Sequence, residues 1–79
     1  MQTVINNIFK KLNDKQHQSL EKLRNYYLDY AEISNLQKEY ALTKIKYYLK
    51  ALVDSGIITE EEAVSLSLWS KLTVEEMSK

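Results

Sequence analysis

The run Leu49-Lys50-Ala51-Leu52-Val53-Asp54-Ser55-Gly56-Ile57-Ile58-Thr59-Glu60-Glu61-Glu62 carries the chain's only glycine. It reads as the end of one helix and the start of another. Leu49 and Leu52 approach Gly56 at helical spacing, and a glycine just past a last turn supplies the left-handed residue that closes a helix. Three residues later Thr59 and Glu62 have the spacing of a capping box, in which each side chain bonds the other residue's backbone N–H. The three glutamates also place negative charge at the positive end of the new helix. Consecutive helical positions point about 100° apart, so Glu60, Glu61 and Glu62 do not converge on one metal ion.

Upstream, the same logic divides the chain twice more. Val4, Ile5, Ile8, Phe9 and Leu12 share one face of a predicted helix over about 3–12. Asn13 and Asp14 stop it and cap a second helix over about 15–33, whose stripe is Leu20, Leu23, Tyr27, Tyr30 and Ala31. Ser34 and Gln37 match another capping box. The third segment, about 36–55, changes face partway. Leu36, Tyr40 and Tyr47 lie on one side, and Ala41, Leu42, Ile45, Tyr48, Leu49 and Leu52 lie roughly opposite. Either one long helix is buried on two sides or the chain turns near Tyr40–Thr43. The fourth helix covers about 60–72, with Val64, Leu68 and Leu72 expected to pack inward and Leu66 and Trp69 left pointing elsewhere. Thr73 and Glu76 suit a short terminal turn.

With no proline and one glycine, the chain lacks the residues that hairpins require. The expected fold is therefore all-α: a small bundle of about four helices, no sheet, one domain over 1–79, with the N-terminal helix either packed or acting as a docking arm. At 79 residues the core is thin. Disulfides and thiolate metal sites are excluded because there is no cysteine. Oligomerisation or partner binding remains as the source of added stability. No apolar run reaches membrane-spanning length. The opening residues also lack the charged-then-apolar order of a secretory signal. Together with the absence of cysteine, this points to a cytoplasmic protein.

Formal charge is balanced overall, yet segregated. Residues 1–50 hold nine basic and five acidic side chains, and residues 51–79 hold two basic and six acidic. Arg24 is the only arginine, so the bidentate forks common in base recognition are scarce. Catalytic equipment is poor too. His17 sits between Gln16 and Gln18 at a helix start and reads as a surface residue, and no glycine-rich phosphate loop exists. We expect no catalytic residues, no metal and no cofactor.

The six tyrosines carry more information. Tyr27, Tyr30 and Tyr48 suit core positions. Tyr26, Tyr40 and Tyr47 suit a partner surface, since tyrosine is enriched where proteins bind. Lys22, Arg24, Lys44, Lys46 and Lys50 are near them in sequence and would make that surface basic. Such a surface fits an acidic protein groove or nucleic acid. Leu66 and Trp69 form a second expected contact, for a partner or a second copy. The competing expectation is that the N-terminal helix folds over Trp69 and completes a monomeric core.

Residues 32–59 resemble the helix-turn-helix core of winged-helix regulators. The resemblance implies a first helix over Ile33 to Tyr40, a turn at Ala41-Leu42-Thr43, and a recognition helix carrying Lys44, Lys46, Tyr47 and Lys50 towards the major groove. The chain departs from that pattern after Ile58, where the family has a β-wing and this sequence has a capped helix. Residues 49–62 resemble SHOCT-type helical-hairpin modules, which implies oligomerisation or protein contacts. The expected function is a non-enzymatic protein-binding module: a small regulator, inhibitor or adaptor of the size common in phage and other mobile elements. The alternative is a helix-turn-helix DNA-binding regulator.

Overall fold

Three breaks organise the chain, and each is stabilised by a cap. The computed structural model describes residues 2–72. Over these residues the helices are α1 (Gln2–Phe9), α2 (Asp14–Tyr30), α3 (Asn35–Asp54) and α4 (Glu60–Lys71). Asn13 opens α2 from an extended conformation, its Oδ1 accepting the Gln16 amide at 2.8 Å while Gln16 Oε1 accepts the Asn13 amide at 3.0 Å. Ser34 Oγ accepts the Gln37 amide at 3.3 Å. The Ser34 amide donates back to the Tyr30 carbonyl at 3.0 Å, so the reciprocal arm of the expected box has no donor left.

The third break forms as the sequence predicts. Gly56 has φ +76°. Its amide donates to the Val53 carbonyl at 2.9 Å and the Ile57 amide to the Leu52 carbonyl at 3.0 Å, the paired bonds of a Schellman close. The Thr59–Glu62 box follows, with bonds of 3.1 and 2.9 Å. No strand occurs among the described residues, and the fold is an all-α bundle.

α3 is the central element, with α2 and α4 packed on it, and α1 lies against α4. The core joins Ile5 and Ile8 of α1, Leu12 of the following turn, Leu20 of α2, Ile45, Leu49 and Leu52 of α3, Ile58, and Leu66 and Trp69 of α4. Burying a side chain of this size contributes about 1.5–3 kcal/mol. Because α1 supplies two of these residues, it is part of the core rather than a free arm. Val4, expected on the buried face, is exposed.

Two expectations are corrected. α3 runs unbroken from Asn35 to Asp54, so the turn that the winged-helix resemblance implies at Ala41–Thr43 is not formed. Ala41, Ile45 and Leu49 recur every four residues and are all buried, giving one continuous inward stripe that leaves no reason to break. The faces of α4 are also reversed. Leu66 and Trp69 are buried, while Val64 and Leu68 are 61% and 50% exposed. Small residues decide this. Ala63 packs against the core on the Leu66 side. Ser70 is fully buried, and its hydroxyl donates to the Leu66 carbonyl at 2.8 Å. The proposed turn at Thr73–Glu76 lies outside the described residues.

Candidate protein-docking surface

The α2–α3 hairpin gathers aromatic side chains on its outer side. On α2, Tyr26 and Tyr30 are four residues apart and therefore neighbours on one face, with ring centroids 5.0 Å apart. Tyr26 also meets Tyr40 of α3 edge-on at 6.2 Å. One turn further along α3, Lys44 Nζ lies 4.9 Å from the Tyr40 ring centroid, in cation–π range. Hydrogen bonding to Tyr40 holds the Lys44 ammonium above the ordinary lysine value. The cluster is thus a cation resting on an aromatic pair at the surface.

Around it the surface is unusually apolar. Leu36, Tyr40 and Tyr47 fall on one helical stripe of α3, at 82%, 53% and 63% exposure. Ile33, in the turn before α3, is 77% exposed. An isolated exposed apolar residue needs no explanation, whereas several adjoining ones mark a contact site. The other tyrosines turn inward. Tyr27 and Tyr48 pack against the core, and the Tyr48 hydroxyl donates to the Gln16 carbonyl at 3.4 Å.

The residues expected to bind a partner therefore separate into three places. Tyr26, Tyr40 and Lys44 come together as anticipated, and Tyr47 continues their stripe. Lys46 and Lys50 instead line a groove between α3 and α4, on the other flank of α3. Leu66 and Trp69 have almost no surface to present to a partner. Trp69 is covered edge-on by Phe9 of α1 at 4.9 Å, so the N-terminal helix does fold over it. Arg24 leaves the basic surface as well. Its guanidinium lies 4.8 Å from the Trp69 ring centroid and donates to the Trp69 and Leu72 carbonyls at 3.3 and 2.6 Å. It caps the carbonyl end of α4, where cations are favoured. Sequence reasoning omitted Ile33 and Leu36 from the site. The signal was present for Leu36, four residues before Tyr40 on the same face. It was hidden for Ile33, which the sequence places at the end of α2 and the structure places beyond it.

His17 stacks on Phe9 at 4.1 Å and pairs with Glu21 at 3.3 Å, so its contacts are those of a packed surface residue. Among the described residues no three His, Asp or Glu side chains converge as a metal site, and no helix is long and apolar enough to cross a membrane. Comparison with protein-family models, curated proteins and solved structures finds no match.

Proposed function

We propose that this protein is a non-enzymatic protein-binding module, a small cytoplasmic regulator, inhibitor or adaptor. It docks a segment of another protein on the stripe formed by Ile33, Leu36, Tyr40 and Tyr47. The observation that carries the reading is the line of largely exposed apolar and aromatic side chains at Leu36, Tyr40 and Tyr47 on one face of α3, with Ile33 exposed just before the helix and Lys44 seated on Tyr40. Tyrosine rings lose little rotamer freedom on binding and present both an apolar face and a hydroxyl, which suits them as anchors. Lys44 at the edge favours a partner segment with apolar side chains beside a carboxylate. Such a complex needs no catalytic group.

The test is a comparison of the wild type with Tyr40→Ala/Tyr47→Ala as baits for affinity purification from the native host, with mass spectrometry of what is retained. A partner held by the wild type and lost from an equally helical variant supports the module. Retention of the same proteins by both baits removes this stripe as the docking site. A DNA-binding regulator makes a different prediction: affinity for duplex DNA falling steeply with salt, as phosphate contacts release counterions. The α3 lysines fit that prediction less well, because Lys44 lies on the tyrosine side while Lys46 and Lys50 lie in the α4 groove.

A further inference from the structure

The opposite flank of α3 carries a second surface of different character. α3 and α4 run antiparallel from the Gly56 turn and leave an open groove of about 450 Å³ between them. Its walls are apolar at Val53 and Val64. At the turn end stand Asp54 and Glu60, and along α3 away from the turn stand Lys50 and Lys46. Lys46 and Asp54 are eight residues apart, or about 12 Å along a helix. The charge along the groove thus changes sign between Lys50 and Asp54, one helical turn apart, with apolar side chains on the walls. Val64 and Leu68, four residues apart on α4, extend the apolar strip into solvent. Among the described residues the ion pairs are Lys11–Glu62 and His17–Glu21, and none of these four charged side chains takes part in them.

We infer that this groove is a self-docking surface, occupied by a second copy of the chain in an antiparallel arrangement about a two-fold axis. A two-fold axis perpendicular to the groove reverses its direction. Lys46 and Lys50 of each copy then meet Asp54 and Glu60 of the other, and the Val64 side chains of the two copies approach one another near the axis. A two-fold interface requires a surface complementary to itself, and a dipolar apolar strip meets that requirement. The parallel arrangement sets lysine against lysine and carboxylate against carboxylate. A uniformly acidic ligand would be repelled by one end of the groove and a uniformly basic one by the other, so the charge pattern selects the second copy. The chain is also small enough for such burial to be a substantial part of its stability.

Sedimentation equilibrium over a concentration series, at low and high salt, tests the inference together with charge reversal. We expect the wild type to show a micromolar monomer–dimer equilibrium that weakens with salt. Lys46→Glu/Lys50→Glu and Asp54→Lys/Glu60→Lys should each dimerise at least about tenfold more weakly while keeping their helical circular dichroism, since all four side chains are exposed. Mixing the two variants should restore a dimer containing one of each, and Val64→Glu should abolish it in either background. A wild type that stays monomeric at millimolar concentration overturns the inference. So do charge variants that dimerise as the wild type does, or a mixture that fails to recover the dimer.

Discussion

Two aromatic–cation clusters in this protein have similar chemistry and opposite fates. In one, Trp69 receives the edge of Phe9 at 4.9 Å and carries Arg24 at 4.8 Å. In the other, Tyr40 receives the edge of Tyr26 at 6.2 Å and carries Lys44 at 4.9 Å. The first is sealed: Trp69 is 4% exposed because α1 lies over α4 and Arg24 binds the carbonyls at the end of α4. The second is open: among the described residues no helix closes over Tyr40, which is 53% exposed. Ring geometry alone does not separate a buried cluster from an exposed one. What separates them is whether a neighbouring helix covers the cluster and whether the cation is tied to backbone.

The strongest way to break this contrast is to delete the two rings in turn. Trp69→Ala should cost about 3–5 kcal/mol. That is comparable with the whole stability of a domain of this size, so the circular dichroism signal at 222 nm should fall sharply or the melting transition disappear. The cations come next. Arg24→Met keeps the apolar stem but removes the charged donor from the Leu72 carbonyl and leaves the Trp69 carbonyl only the Leu72 amide, and should destabilise by roughly 2 kcal/mol in urea melts. Lys44→Met should leave the urea midpoint essentially unchanged, since the Lys44 ammonium is in water.

Gly56→Val probes what sets the start of α4. Open space surrounds a side chain there, with no atom within 4 Å, so only the backbone at φ +76° opposes it. The expected loss is roughly 1–2 kcal/mol, and an unchanged melting temperature would show that the turn tolerates another conformation. Glu62 gives a smaller effect with a defined pH sense. Hydrogen bonding from Lys11 and the Thr59 amide holds its carboxyl below the ordinary glutamate value. Its contribution is therefore present in full above the ordinary glutamate range and fades as pH falls through the lowered folded value. Because the Lys11 side chain is half exposed, Glu62→Gln should cost only about 0.5 kcal/mol at neutral pH, less in high salt, and nothing once the carboxyl is protonated. Tyr40→Ala should likewise change stability little, within about 0.5 kcal/mol, while abolishing retention of a partner. A large loss of stability in Tyr40→Ala would place that ring in the core and end the contrast.

Much of this was readable from short-range chemistry. Asn13, Ser34, Gly56 and Thr59 each act through backbone groups within a few residues, so the helix boundaries follow from local spacing. The inward stripe of α3 is similarly local, because Ala41, Ile45 and Leu49 repeat at one period. The site was half legible. Tyr40 and Tyr47 stand out on the face opposite those residues, but their meeting with Tyr26 across the hairpin depends on how α2 and α3 pack. Misplacing Leu66 and Trp69 has a comparable cause. Both sides of α4 carry apolar residues at helical spacing, and periodicity does not rank two stripes of nearly equal strength.

The sequence by itself determined an all-helical chain and its three breaks, because capping and glycine conformation act locally. Only the tertiary structure decided which face of α4 is buried, that Arg24 closes the end of that helix, that α3 continues through Ala41–Thr43, and that Lys44 parts from Lys46 and Lys50. Those choices depend on which helices approach one another closely enough to exclude water. That closeness is set by small residues such as Ala63 and Ser70 and by the covering α1 helix, all acting across long separations in sequence.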